Sequence, residues 1–289
     1  MDHLKLSLVA HSSHHFSSPV SAETLDRVLA LSGVGHGWRA ADLGCGPGAM
    51  ALHLAERYGV KVEAVDRSAT MLDLARARAA DNPAGKLLSF YQAESTEWLA
   101  TAAPCDLVMA VGAGLLVPGA ADNAAQLRAL AAAVRPDGRL LWGETFWKKE
   151  PSAGFRAGLG PVAALYASHA DYVAAGEAAG LTPLYAAVSS DQDWDEYAWR
   201  YSTAVETYAA ERPDDAEAHA MRARIAGWRR MYLAEGRETM GFGLYLFAKP
   251  LASITGTAAR RRRAACASAG ACLPGAAGRR RRCRSGCAR

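Results

Sequence analysis

Apolar positions along this chain alternate between two spacings. Short runs dense in aliphatic residues predict strands at Trp38–Leu43 (WRAADL), Val60–Val65 (VKVEAV), Leu87–Tyr91, Asp106–Val111 (DLVMAV) and Arg139–Thr145. Between them, helical spacing predicts Ala49–Tyr58, Ser68–Ala80, Glu94–Ala102 and Asp122–Val134, with Ser68 as an N-cap and Gly59 as a stop. An earlier helix, Ser21–Leu31 (SAETLDRVLAL), starts at the N-cap Ser21. Met1–Pro19 is polar and His-rich, and Phe146–Tyr166, broken by Pro and Gly, is expected to be irregular. Beyond lie a helix at Asp171–Ala179, a sixth strand at Thr182–Ser189, helices at Asp193–Glu211 and Pro213–Ala234, and a last strand at Thr239–Ala248. Strand and helix alternate with short connections, so the class is α/β, a doubly wound and mostly parallel sheet with a helical hairpin (191–236) inserted before its last strand. In such a sheet the ligand lies at the carboxyl ends of the strands.

The first of those ends is a glycine turn, Asp42-Leu43-Gly44-Cys45-Gly46-Pro47-Gly48. Three glycines bare the backbone to a ligand, ahead of a helix N-terminus. Gly44-x-Gly46-x-x-Ala49 fits the loose dinucleotide fingerprint. An acid at Asp42 argues against a diphosphate there and suits a cationic group such as an α-ammonium. Asp66, closing the second strand, is placed to take the two hydroxyls of a ribose.

Charge divides the chain. The net +4 arises from residues 251–289, which hold ten Arg and neither Lys nor acid. Without them, 23 basic and 29 acidic residues remain, a net charge of −6. An acidic globular part argues against a nucleic-acid footprint. Cys45 and Cys105 form no disulfide framework, which fits a reducing cytoplasm. No apolar run approaches the ~18 residues of a membrane-spanning helix, and the N-terminus lacks the pattern of a signal peptide. The spacing of His11, His14 and His15 is read as part of a solvated segment and not as a metal site.

Taken together, ADLGCGPG, VEAVDRSATMLDLARARA, YQAEST, PCDLVMAVGA and LRALAAAVRPDGRLLWGE resemble, in order and spacing, the motifs of the class I S-adenosylmethionine-dependent methyltransferases. The resemblance runs through most of residues 21–250. It implies a seven-stranded sheet whose last strand is antiparallel and inserted between the fifth and sixth. It also implies S-adenosyl-L-methionine as cofactor. Gly44, Gly46 and Gly48 match the turn around the methionine portion, and Asp42 the acid near the ammonium group. Asp66 matches the ribose ligand, Arg67 and Met71 the positions flanking adenine, and Val111 and Gly112 the segment under the sulfonium. Glu94 stands where the family more often has Asp, and Ser95 is expected to offer a backbone N–H to adenine. The family has no universal catalytic residue, because the sulfonium already activates the methyl carbon and alignment does most of the work.

The Asn-Pro-Pro-Tyr type motif of amino methyltransferases is missing after Val111, where Gly112-Ala113-Gly114 stands. The SSPVS entrance, the GETFW strand end and the SSDQDWDEY helix resemble the bacterial type-11/type-25 group. The expectation is a cytoplasmic methyltransferase acting on O, N or S of a small molecule, without nucleic-acid or membrane partners. Residues 1–20 are expected to cover the active site, and 21–250 to form the methyltransferase domain. The acceptor pocket is expected to use Trp147, Trp194, Tyr197 and Tyr201, with His14, Phe16 and Phe146 as further candidates. His15 is the candidate general base and Glu144 a polar contact to the acceptor. A protein or RNA methyltransferase, a nicotinamide oxidoreductase and a non-catalytic cofactor-binding protein are the competing readings. Residues 251–289 read as a disordered, non-native extension. Deleting them should leave the affinity for S-adenosylhomocysteine by calorimetry and the melting temperature unchanged; a loss of either would make the tail part of the fold.

Overall fold

The computed structural model describes residues 3–114 and 116–251. The Arg-rich tail, apart from Leu251, lies outside them.

Seven strands form one sheet in the order β3-β2-β1-β4-β5-β7-β6. They are β1 (Arg39–Leu43), β2 (Lys61–Asp66), β3 (Leu88–Gln92), β4 (Cys105–Val111), β5 (Val134–Trp147), β6 (Thr182–Val188) and β7 (Met240–Ala248). β1 to β5 are parallel, and β7 runs antiparallel between β5 and β6. The helices are α1 (His3–Ala10), α2 (Ala22–Ser32), α3 (Ala49–Tyr58), α4 (Ala69–Ala80), α5 (Ser95–Thr101), α6 (Asn123–Ala132), α7 (Ala153–Leu159), α8 (His169–Ala178), α9 (Asp191–Ala210) and α10 (Ala216–Met231). The sheet order and the antiparallel β7 between β5 and β6 are those the resemblance implies.

Alternation along the strands sorts the core into two layers. Leu141, Leu244 and Leu246 pack with α2 and α3 on one face. Trp142, Tyr245 and Phe247 pack with α6 and α8 on the other. The order reverses between β1 and β4, so the turn after β1 and the segment after β4 border one crevice.

Three segments depart from the sequence reading. Residues 3–10, part of the stretch read as polar and His-rich with no element assigned, form α1. An eight-residue helix does not persist alone in water; this one buries Leu6 and Ala10 against Val205, Met221 and Ile225 of the hairpin. Phe146–Tyr166 is not irregular. β5 runs on to Trp147, and Ser152 caps α7 by accepting from the Phe155 N–H at 3.1 Å. Gly158, read as a breaker, lets α7 approach α10, since a Cβ there would lie 2.4 Å from the Met231 sulfur. The hairpin's second helix starts not at Pro213 but at Ala216, because Asp215 takes the N-cap and accepts from the Glu217 N–H at 2.8 Å.

α8 lies so close to β7 that a Cβ on Gly176 would sit 2.1 Å from Cε1 of the buried Phe247 ring. Gly176→Ala should therefore lower stability by about 1–3 kcal/mol, read from urea unfolding, with the cost of overpacking outweighing the helix propensity gained.

Candidate active site

The turn after β1 is held from β2. The Val65 carbonyl accepts from the N–H of Gly44 at 2.9 Å and of Cys45 at 3.1 Å. Asp66 Oδ2 accepts from the Gly46 N–H at 2.9 Å, and Oδ1 from the Ser68 N–H at 2.8 Å. Gly44, Gly46 and Gly48 have φ of 69°, 52° and 70°, a region costly for residues with a Cβ. A Cβ on Gly46 would point into open space, whereas one on Gly48 would lie 2.8 Å from Cβ of Ala75. Gly48, expected in the ligand turn, thus packs the turn against α4 and does not line the groove.

Two cavities meet over this turn. One, of about 550 Å³, has Asp42, Gly44, Cys45, Gly46 and Val111 beneath it and Ser7, His11 and Phe16 above. The other, of about 490 Å³, is bordered by Asp66, Arg67, Met71, Glu94, Ser95 and Leu116. They share Ser7, Gly44, Gly46, Met71 and Gly112, and so form one groove across the strand ends. Ten of the eleven positions expected at a cofactor line it; Gly48 is the exception. Glu94 is exposed and forms a capping box with Glu97 at the start of α5.

The two acids of the groove differ in environment. Asp66 is satisfied by backbone N–H groups. Asp42 is buried, and its Oδ2 has no hydrogen-bond partner. Burial, and next the repulsion of Asp66, push its carboxyl up to about 7. A buried carboxylate oxygen without a partner, bordering a cavity, fits a ligand that brings a cationic donor.

A third cavity of about 240 Å³ adjoins the groove and shares Ser17, Ser18 and Gly112 with it. A Cβ on Gly112 would sit 2.1 Å from Ser18 Oγ, so the Ser17–Pro19 segment lies directly on the end of β4. Glu144, Tyr166, Trp194, Tyr197, Trp228 and Phe242 are among its walls. Glu144 Oε1 accepts from the Thr145 N–H at 2.8 Å, and burial raises its carboxyl to about 7.

Several expected residues lie elsewhere. His15 is exposed, against Phe16 with ring centroids 4.3 Å apart, and borders an outer cleft with Asp193 and Glu196. The chain turns after α1 and does not continue as a helix, so His11 faces the groove instead. Nδ1 of His11 donates to the Ser7 carbonyl at 2.9 Å, which leaves Nε2 to accept from the Tyr197 hydroxyl at 3.0 Å. Burial lowers His11 to about 4 and keeps it neutral. His14 is buried beside the Tyr197 carbonyl, 2.9 Å from its Nε2. Trp147 lies in the core against Phe155 and Tyr166, and Tyr201 stacks behind Tyr197 at 5.9 Å; neither borders the third cavity. Phe146 is on the opposite face of β5, beside His169. Tyr166, Trp228 and Phe242 were not singled out by sequence. They come from three distant segments with no shared spacing.

The groove thus offers backbone at one strand end, an acid oriented by two N–H groups at the next and a buried, unpartnered carboxylate oxygen at its floor. Residues 40–138 match the family described as "Methyltransferase domain". The uncharacterized protein YjhP of Escherichia coli K12 is 26% identical over 250 residues, covering 85% of this chain and 98% of that one. Trans-aconitate 2-methyltransferase of Streptomyces coelicolor is 39% identical over 85 residues, or 28% of its length. A methyltransferase from Geobacter sulfurreducens in complex with S-adenosyl-L-homocysteine superposes with a TM-score of 0.76 at 22% identity, over 84% of this chain and 97% of that one. The family match over residues 40–138 and the shared fold support a class I S-adenosylmethionine-dependent methyltransferase of the type-11/type-25 kind.

The state of Asp42 sets a pH dependence. A cationic ligand requires its carboxylate, and below about pH 7 binding must displace a proton. The affinity for S-adenosylhomocysteine should therefore fall as pH drops below 7, approaching tenfold per pH unit, and Asp42→Asn should flatten that profile in calorimetry. In the free protein the sign is the reverse. The folded state holds this proton more tightly than the unfolded state (3.8), so stability should decline as pH rises from about 4 to 7.

Proposed function

We propose that this enzyme moves a methyl group from S-adenosylmethionine to an O, N or S atom of a small molecule. The observation that carries this reading is the third cavity: about 240 Å³, with five aromatic side chains among its walls and meeting the cofactor groove at Gly112. A protein or RNA acceptor calls for an open, basic face at this point. The lining instead contains one acid and no Lys, Arg or His. Two relatives are small-molecule methyltransferases by name, the trans-aconitate enzyme and N-demethylindolmycin N-methyltransferase of Streptomyces griseus. The latter matches over 37 residues at 57% identity, 16% of its length, so they support the class and not the substrate.

In this reading Asp42 faces the ammonium group of the methionine portion and Asp66 takes the ribose hydroxyls. Met71 and Leu116 flank the adenine, and the Ser95 N–H serves its edge. Arg78, on the rim of the first cavity, supplies a cation for the ligand's carboxylate. The sulfonium then lies over Val111 and Gly112, facing the aromatic cavity. Trp194 and Tyr197 hold the acceptor, with ring centroids 5.9 Å apart and planes at 83°. The reaction is one in-line displacement: the acceptor atom bonds to the methyl carbon as the carbon–sulfur bond breaks, and the electron pair stays on sulfur. Water exclusion and alignment carry the catalysis.

Residues 21–250 form the catalytic domain, residues 1–20 are its cover, and α9 and α10 are an insertion that closes the acceptor side. The cytoplasm is the proposed location, in keeping with two buried free cysteines, Cys45 and Cys105. Among the described residues, no helix is long and apolar enough to cross a membrane.

Incubation with labelled S-adenosylmethionine and a metabolite extract should put the label into a low-mass product separable by filtration. Label retained in protein or RNA fractions would overturn the small-molecule reading.

A further inference from the structure

We propose that the acceptor is an amine, bound as its ammonium form by the Glu144 carboxylate inside the aromatic cavity, and that Glu144 takes the proton the nitrogen must lose. This deepens the small-molecule reading and rests on it. Glu144 is the single charged side chain in the cavity's lining. One of its oxygens accepts from the Thr145 N–H, and no ion pair among the described residues includes it. A carboxylate in that setting repels an anionic acceptor and leaves a neutral one without compensation for its charge. A protonated amine supplies the missing countercharge. Tyr166, Trp194 and Trp228 line the same space, and aromatic rings attract ammonium groups. The cofactor adds a second reason, because the sulfonium at Gly112 would repel a cation in the third cavity unless an anion lies beside it.

The proton balance is complete with these groups. The acceptor enters as R–NH3+ paired with the carboxylate. Glu144 removes one proton, which leaves a lone pair on nitrogen. The nitrogen–carbon bond forms as the sulfur–carbon bond breaks, and the electron pair remains on sulfur. R–NH2+–CH3 and the neutral thioether depart, and Glu144 releases its proton to water.

Competing ligands of equal size read this directly. The full chain, loaded with S-adenosylhomocysteine, is titrated by calorimetry with benzylamine, benzyl alcohol and benzoate. Benzylamine should bind at least tenfold tighter than either of the others. Glu144→Gln should lower benzylamine affinity at least tenfold, bring it level with benzyl alcohol and leave S-adenosylhomocysteine affinity intact, which also shows the variant folded. Benzoate or benzyl alcohol binding as tightly as benzylamine, benzylamine indifferent to Glu144→Gln, or no probe binding would each overturn the amine proposal while leaving the methyltransferase reading in place. Failure of S-adenosylhomocysteine to bind the wild-type chain would overturn both.

Discussion

The site depends on one backbone connection, the Val65 carbonyl and Asp66 carboxylate of β2 reaching across to the N–H groups of Gly44, Cys45 and Gly46. A chain leaving a strand through three left-handed glycines has many conformations open to it. These bonds select one of them. They also orient the Asp66 carboxylate, whose remaining lone pairs border the groove. The parallel pairing of β1 with β2, from Arg39 beside Lys61 to Leu43 beside Val65, brings the two strand ends level. Turn geometry is thus a consequence of strand register.

Asp42 and Asp66 share the groove but not its electrostatics. Two backbone N–H groups serve Asp66. Asp42, sealed beneath the turn with an oxygen unpartnered, is driven toward its neutral form by burial and by Asp66. Across Gly112, burial likewise raises the carboxyl of Glu144. The molecule therefore holds two under-compensated acids, one on each side of the position proposed for the sulfonium. Both suit ligands that arrive with positive charge.

The cover on this site is a tertiary product. α1 rests on α9, Ser18 lies against Gly112, and the hydroxyl of Tyr197 donates to His11. His11 borders the groove and Tyr197 the third cavity, so this bond joins the walls of the two spaces. Trp147, Tyr201 and Phe146 serve as packing behind the walls. Each was a plausible lining residue by type. Strand alternation sent Phe146 to the far face of β5, and the helical turn placed Tyr201 one row behind Tyr197.

The strand–helix rhythm of residues 38–147 was legible because each element carries its own period and its own stop, as Gly59 does after α3. The groove over the glycine turn was legible for a related reason: its residues sit at strand ends, so local motifs determine them. Gly48 was misassigned because a glycine needed for close packing looks the same in sequence as one needed by a ligand. α1 and α7 were missed because short helices draw their stability from partners distant in the chain. By itself, the sequence determined the sheet, the turn and the nature of the methyl donor, all products of short-range pattern. Only the tertiary structure decided which histidine faces the groove, which rings line the third cavity and that Glu144 is the one charged side chain among them. Those facts follow from how α1, α7, α9 and α10 pack together over the strand ends, and no local spacing encodes that packing.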